Sequence, residues 1–376
     1  MRKRYLIWSP YSTGHHPTYV SFILDAVGRL HPEAVVLCMN SDIKADPRFP
    51  SIQQKLEENG SILDLVDFEQ NKYSADAIIG QFIQYRLLIS RIRIHRIDNI
   101  VVPYFDSIWL GFLLLNVIMN PHIQIWPIWM RNQLHIQKSF FKYVVEKMKI
   151  AAAALISRRF NSINYTIDPC FFEYTQSHEK YKGLYTYIPE PIIQLRQAKM
   201  LQSEHRNVLL AIGVLDDRKS IIELLHNVLS IEGGYVIVRL IGKIHHEIMT
   251  FIADNSESLK GKVIAINKIL TDEEYCQEIF NADIVWCVQR DHMLSSGTIA
   301  YAMAYNKCIL YSDSGCIGYW GSAYSRAVLC SDACAASICK AVSLIEGNDV
   351  RAPFRTERPM SPFTLSWNGF FCETSD

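Results

Sequence analysis

The sequence has 376 residues, more than a single hydrophobic core ordinarily holds, and therefore predicts two domains. Hydrophobic residues make up 49% of the chain and charged residues 20%, as expected of a soluble globular protein. The 38 Lys and Arg residues are balanced by 38 Asp and Glu residues, so the composition argues against nucleic acid as a partner.

No targeting or membrane-spanning segment is predicted. The N-terminus, MRKRYLIWSP, has too short an apolar stretch for a signal peptide. The longest apolar run, Ile108–Met119, is interrupted by Asn116 and is too short to span a bilayer. We therefore expect a cytoplasmic protein.

The ten cysteines lie mostly within apolar segments and form no Cys-x-x-Cys pair. Cys330, Cys334 and Cys339 are clustered, but their spacing matches no standard zinc site. We expect buried free thiols in a reducing compartment, and no metal site.

Apolar strand patterns alternate with helical patterns from the first residues onward, beginning with a strand at 5–8 and a helix at 18–30. Further strands of the first half are predicted at 34–38, 62–66, 99–102, 123–128, 162–167 and 184–188, and further helices at 52–58, 75–96, 108–119, 134–157 and 169–176. Such alternation favours a parallel sheet covered by helices on both faces.

The second half repeats this pattern after a polar stretch bracketed by prolines. Its strands are predicted at 208–212, 235–240, 263–266, 283–288, 308–311 and 327–329, and its helices at 219–229, 245–253, 272–280, 297–304 and 333–346. We therefore predict two doubly wound α/β domains facing a central cleft, at 1–190 and 207–347, joined by a linker at 191–206. The aromatic tail, 348–376, is expected to pack back onto the body.

Two strand–helix junctions lie next to each other in residues 281–315. Their small residues are Ser295, Ser296, Gly297 and Thr298 at the first junction and Ser312 to Gly315 at the second. Backbone N–H groups at both junctions would point toward one ligand, which favours an anion such as a diphosphate. A simple helix N-cap is the alternative for the serines.

A Gly loop with two histidines follows the first strand. Gly14 allows close backbone approach, and His15 and His16 could contact a phosphate or exchange a proton near neutral pH. Alternatively, one histidine caps the helix and the other is solvated.

Gly213 and a basic pair follow the first strand of the second domain. Arg218 and Lys219 are predicted to open a helix, where the helix dipole disfavours cations. A bound phosphate would explain the pair and would be clamped by it. Two solvated cations are the alternative.

Asp106 and Arg131 follow strands of the first domain and could orient a hydroxylated acceptor. Capping of the following helix is the favoured role for Asp106.

Several cofactor and nucleophile motifs are missing from the sequence. It contains no Asp-x-Asp, Gly-x-Ser-x-Gly, Walker A or Gly-x-Gly-x-x-Gly pattern. A Mg²⁺–diphosphate mechanism based on paired aspartates and a nicotinamide cofactor are therefore not expected.

These features together resemble the GT-B glycosyltransferases, in particular the retaining group called family four. The similar segments are VLLAIGVLDDRKS (208–220), VIVRLIGKI (236–244), the run from ADIVWCVQR (282–290) to SDSG (312–315), YIPEP (187–191) and the loop around Gly14. They span most of the chain.

The sequence departs from that family at the two glutamates that it usually carries with seven residues between them. Met293 and Tyr301 occupy these positions, of which the second would hold the ribose of the donor. The resemblance leaves Tyr301, with Ser295 or Ser296, as the substitute.

The resemblance implies metal-independent, retaining transfer of a sugar from a nucleotide-diphosphate donor to a carbohydrate, lipid-linked or protein acceptor, without a cofactor. It assigns the charge on the leaving phosphate to Lys219 and Arg218, with His15 or His16 near the sugar. A non-catalytic partner subunit and a nucleotide-sugar epimerase are the alternatives.

Residues 85–96 and 138–159 combine apolar residues with Lys and Arg. Peripheral attachment to the inner face of a membrane is compatible with this pattern. A solvated helix face is the favoured alternative.

Overall fold

The computed structural model describes residues 3–11, 16–31, 34–67, 78–115, 122–136, 139–193, 195, 207–231, 236–291, 293–330, 335–347, 360–368 and 370–371. The chain divides into two compact units, which are Met1–Pro191 with Ser366–Asp376, and Ile192–Leu365.

The first unit contains a seven-stranded parallel sheet. Its strands are β1 (Tyr5–Ser9), β2 (Val35–Asn40), β3 (Ile62–Val66), β4 (Asn99–Val102), β5 (Gln124–Trp129), β6 (Asn164–Thr166) and β7 (Tyr185–Tyr187), in the spatial order β3-β2-β1-β4-β5-β6-β7. Its helices are α1 (His16–Leu30), α2 (Phe49–Glu58), α3 (Ile78–His95), α4 (Trp109–Leu115), α5 (Phe140–Phe160) and α6 (Pro169–Ser177).

The central strands are buried along their whole length because helices cover both faces. All five residues of β1 and all six of β2 are buried. Removing such runs from water is the main favourable term in folding this unit.

The second unit has a six-stranded parallel sheet. A two-residue strand of the first unit, β8, lies at Glu190–Pro191. The sheet strands are β9 (Asn207–Leu215), β10 (Val236–Ile244), β11 (Val263–Asn267), β12 (Ile284–Cys287), β13 (Cys308–Tyr311) and β14 (Ala327–Leu329), in the order β11-β10-β9-β12-β13-β14. The helices are α7 (Ile221–Ser230), α8 (His246–Asp254), α9 (Ser256–Leu259), α10 (Asp272–Asn281), α11 (Gly297–Ala304), α12 (Gly315–Gly321) and α13 (Ala335–Gly347).

Two predicted boundaries are wrong in ways that affect the site. The helix predicted from Leu134 begins only at Phe140, where Ser139 accepts the N–H of Lys142 as N-cap. The helix predicted from Lys219 begins at Ile221, and Asp217–Lys219 form a 3₁₀ turn before it.

The end of the chain returns to the first unit. Trp367 is fully buried, stacks on Tyr19 at 5.6 Å and donates its indole N–H to the Pro189 carbonyl at 3.0 Å. A short strand, β15 (Phe363–Thr364), precedes this segment. The bulky apolar contacts explain why an aromatic tail sequence is not solvated.

Among the helices in the described parts of the chain, none is both long and apolar enough to cross a membrane.

Candidate functional site

The carboxyl edge of the second sheet is built around a pair of glycines. Gly213 of β9 and Gly242 of β10 are register partners, with φ of +96° and +134°. A Cβ on Gly242 would lie 2.0 Å from the Gly213 carbonyl oxygen, so no larger residue fits. The pair therefore keeps the backbone bare at this edge, as close approach of a ligand requires.

Lys219 lies directly beside this glycine edge. Its ammonium group donates to the Ile212 carbonyl at 2.6 Å and is 3.5 Å from the position that a Cβ on Gly213 would occupy. Burial of the ammonium group lowers the pKa of Lys219 to about 8, although Cys287 and Asp216 partly oppose the shift. Lys219, which was predicted to bind a phosphate, is thus a cation with few polar partners in the protein.

Arg218 has a carboxylate partner in its own loop. Its guanidinium forms a 2.6 Å ion pair with Asp216, and its side chain is mostly exposed. The proximity of Arg218 helps to hold the pKa of Asp216 below its usual value, against the effect of burial. The helix-dipole argument for an anion at Arg218 is therefore weaker than the sequence suggested.

Backbone and side-chain hydrogen bonds tie three loops into one continuous edge. Arg290 donates its N–H to the Arg218 carbonyl at 2.6 Å. Gln289 and the hydroxyl of Ser312 exchange bonds of 3.2 and 3.0 Å. The loops after β9, β12 and β13 are thereby brought together, as their position at the ends of parallel strands predicts.

Gly315 fixes how the second small-residue loop packs. Its φ is +51°, and a Cβ there would lie 2.4 Å from the Cα of Met293. Met293 also accepts the N–H of Cys316 at 3.3 Å through its carbonyl. Met293 thus contributes backbone contacts at a position where the resembling family carries a carboxylate.

The start of α11 is observed at Gly297, the predicted position. Ser296 occupies the N-cap position, but its side chain makes no capping hydrogen bond. Thr298 shares a 2.9 Å hydrogen bond with the hydroxyl of Tyr275. The Ser296 hydroxyl therefore does not perform the capping role that was the alternative to anion binding.

Tyr301 is buried within the second unit. Its hydroxyl accepts the backbone N–H of Ile193 at 3.0 Å, and its ring meets the Tyr275 ring edge-on at 5.4 Å. The hydroxyl predicted to substitute for the ribose-holding glutamate is thus already engaged by the chain itself.

The first unit has a cluster of aromatic side chains at the carboxyl edge of its sheet. His16, the first residue of α1, lies 4.9 Å from the Tyr11 ring and 5.1 Å from the Tyr104 ring. The Arg131 guanidinium lies 5.1 Å from the centroid of the Tyr104 ring. His16 and Arg131 therefore both contact the Tyr104 ring. Gly14 and His15 lie outside the described residues.

Asp106 supports the loop that carries Arg131 and does not cap a helix through the contacts observed. Its carboxylate accepts the N–H groups of Met130 and Arg131 at 2.8 and 3.1 Å and pairs with Lys149 at 3.1 Å. Lys149 also donates to the Arg131 carbonyl at 2.9 Å and pairs with Glu146 at 2.9 Å. Burial opposes the charge on Lys149, but the two carboxylates outweigh it and raise its pKa.

Sequence reasoning missed Glu146 and Lys149 in this network. The available signal was the single carboxylate of α5, at Glu146, three residues before Lys149. Such a pair, when buried, needs further partners, which here are the loop and Asp106.

No protein-family model and no curated protein matches the sequence. Solved structures do match. Sucrose-phosphate synthase from Thermosynechococcus elongatus has a TM-score of 0.63 at 15% identity, covering 93% of this chain and 90% of that chain. Anabaena HepE, solved in complex with UDP and glucose, has a TM-score of 0.60 at 11% identity, with 92% and 90% covered.

A Listeria monocytogenes protein assigned as a UDP-N-acetylglucosamine 2-epimerase has a TM-score of 0.56 at 10% identity, with 92% and 88% covered. Together these likenesses establish the GT-B fold for this chain. The fold class predicted from the sequence is thereby confirmed.

Proposed function

We propose that this protein is a glycosyltransferase that binds a nucleotide-diphosphate sugar at the glycine edge of its second unit. The main support is the position of the Lys219 ammonium group beside Gly213. Hydrogen bonds also hold the loops after β12 and β13 at this edge of the sheet. A diphosphate would find bare backbone, a helix start at Gly297 and a cation there.

The chemistry of transfer is electrostatic. Negative charge develops on the β-phosphate as the sugar leaves, and Lys219 with the N–H groups at the start of α11 would stabilise it. Retention requires no strong protein base when the leaving phosphate accepts the proton of the acceptor hydroxyl. Arg131 and His16 of the first unit would contact the acceptor. The proposed transfer requires no metal ion.

A matched pair of half-buried lysines tests the donor site. Lys219 and Lys307 each donate to a backbone carbonyl at 2.6 Å, and burial lowers the pKa of both to about 8. Lys219 lies at the carboxyl edge of the sheet, whereas Lys307 precedes β13 at the opposite edge. We expect UDP or GDP binding, measured by calorimetry, to weaken at least about tenfold in Lys219→Met and to stay unchanged in Lys307→Met.

If both variants lost nucleotide affinity equally, the loss at Lys219 would be explained by general destabilisation of the fold. Retained binding in Lys219→Met would contradict the phosphate assignment.

Two other functions fit specific observations. Tyr301 is hydrogen-bonded to Ile193, and neither it nor Met293 supplies a carboxylate, which favours a non-catalytic GT-B subunit. The likeness to the Listeria protein favours an epimerase. Absence of binding to any nucleoside diphosphate would support the subunit, and conversion of a UDP-sugar without an added alcohol would support the epimerase.

We also infer that the first unit contacts a membrane surface. Phe140 and Phe141, at the start of α5, are 83% and 77% exposed, and Ile78 and Ile79 at the start of α3 are 62% and 65% exposed. Both helices pack against α4, and both begin where the parallel strands end. Exposed pairs of large apolar side chains that are consecutive in sequence favour insertion between lipid headgroups.

The contact is tested by sedimentation with vesicles containing anionic lipids. Replacing Phe140 and Phe141 together by Ser should abolish co-sedimentation, because the inserted aromatic surface is lost. Ile269→Ser is the matched control, since Ile269 is 64% exposed in the second unit. Failure of the unaltered protein to sediment, or equal sedimentation of all three proteins, would contradict the inference.

A further inference from the structure

Three potential metal ligands meet in the first unit. His135 lies in the turn after β5, Asp168 is the N-cap of α6, and Cys170 is in the first turn of α6. One ligand atom from each lies within 4.8 Å of the other two. The elements that carry them follow two neighbouring strands, β5 and β6.

The half-buried His135 ring has two nitrogens without a hydrogen-bond partner among the described residues. Both nitrogens are shielded from solvent. The Phe171 and Tyr174 rings lie 6.2 and 6.4 Å away, and burial lowers the pKa of His135 to about 4. A neutral imidazole whose nitrogens are both buried is normally paired with a donor, an acceptor or a metal ion.

Asp168 and Cys170 provide the complementary ligands. Asp168 has no exposed surface, and its Oδ1 accepts the N–H of Phe171 at 2.9 Å. Such a hydrogen bond orients a carboxylate in the way that outer-shell partners orient metal ligands. Cys170 is only partly exposed and adds a sulfur ligand.

We propose that His135, Asp168 and Cys170 bind one Zn²⁺ ion, with water as the fourth ligand. Nitrogen, oxygen and sulfur together favour Zn²⁺ over Mg²⁺ or Ca²⁺, which prefer oxygen alone. Ligand atoms of a tetrahedral zinc site are about 3.3–3.8 Å apart, so rotation of the side chains must shorten the present separations, which are within 4.8 Å, by up to about 1.5 Å.

The ion holds the loop after β5 against α6. The other end of that loop is already anchored, because Asp106 binds the N–H of Arg131 and Glu146 accepts the N–H of Gln133 at 2.9 Å. Zinc therefore acts as a structural clamp in the first unit, and this role does not depend on the proposed sugar transfer.

The test uses the full-length protein after treatment with a chelator. Titration with ZnCl₂ against a chromophoric competitor should show one site per chain, weakened at least about tenfold in His135→Phe and in Cys170→Ser. Co²⁺ in place of Zn²⁺ should give a thiolate charge-transfer band that is lost in Cys170→Ser. The control is Cys339→Ser, because Cys339 is a partly exposed thiol of the second unit.

Circular dichroism of the metal-free variants establishes that they are folded, and zinc should raise the Tm of the unaltered protein but not of these two variants. Absence of stoichiometric zinc binding would overturn the proposal. So would binding that persists in both site variants or is equally lost in Cys339→Ser.

Discussion

At the residue scale, Lys219 shows how burial and charge compete at the candidate site. Its ammonium group has a carbonyl partner at Ile212, whereas Asp216, the carboxylate that raises its pKa, is paired with Arg218. Burial therefore lowers the Lys219 pKa to about 8, below its value of about 10.4 in an unfolded chain.

This shift has a defined effect on stability. Between about pH 8 and 10 the folded chain releases the Lys219 proton that the unfolded chain retains, so the contribution of Lys219 to stability rises with pH. We expect the free energy of unfolding of the unaltered protein to increase, relative to Lys219→Met, from pH 7 to about pH 9.5. Urea unfolding at each pH measures it; a constant difference would show that the Lys219 pKa is not lowered.

At the element scale, β9 and β10 extend beyond their predicted ends at residues 212 and 240, to Leu215 and Ile244. The glycine pair therefore lies within the ladder and not in a loop. Strand backbone with positive φ is tolerated there only because neither position carries a Cβ.

Substitution at this pair should be costly. In Gly242→Ala the new Cβ would meet the Gly213 carbonyl at 2.0 Å, at a φ of +134°, so we expect a loss of at least about 2–3 kcal/mol in unfolding free energy. Gly261→Ala is the control, with φ of +72° and nothing within 4 Å, and should lose only about 1–2 kcal/mol. Similar losses in the two variants would contradict the steric argument.

At the scale of the whole molecule, the C-terminal segment of the chain belongs to the first unit. Residues from Ser366 onward belong with the first unit, although 192–365 lie between. The stability of the first unit therefore depends on residues at both ends of the sequence.

Trp367 tests this dependence. Trp367→Ala removes a fully buried indole from Tyr19 and Pro189 and should lower the unfolding free energy by about 3–5 kcal/mol. Leu365→Ala, at a 54% exposed side chain, should change it by less than about 0.5 kcal/mol. Denaturation followed by circular dichroism gives the values, and faster hydrogen exchange in β1 and α1 should locate the loss. Unchanged exchange there would contradict the assignment.

The sequence predicted the elements whose signals are local. The strand Cys308–Tyr311 and the helix Gly297–Ala304 have their predicted ends, because apolar runs and small residues mark both. The start predicted at Leu134 was wrong because Leu134 is a buried residue of a turn, which continues the apolar pattern without helical backbone. That error placed His135 on a helix and hid its proximity to Asp168 and Cys170.

The sequence by itself determined the alternation of strands and helices, the doubly wound fold and the loops at the strand ends, because periodicity and turn chemistry are properties of neighbouring residues. Only the tertiary structure decided which polar groups meet. The hydroxyl of Tyr301 accepts the N–H of Ile193, and Asp106 anchors a loop together with Lys149. These partners are set by packing between distant segments, which local patterns do not encode.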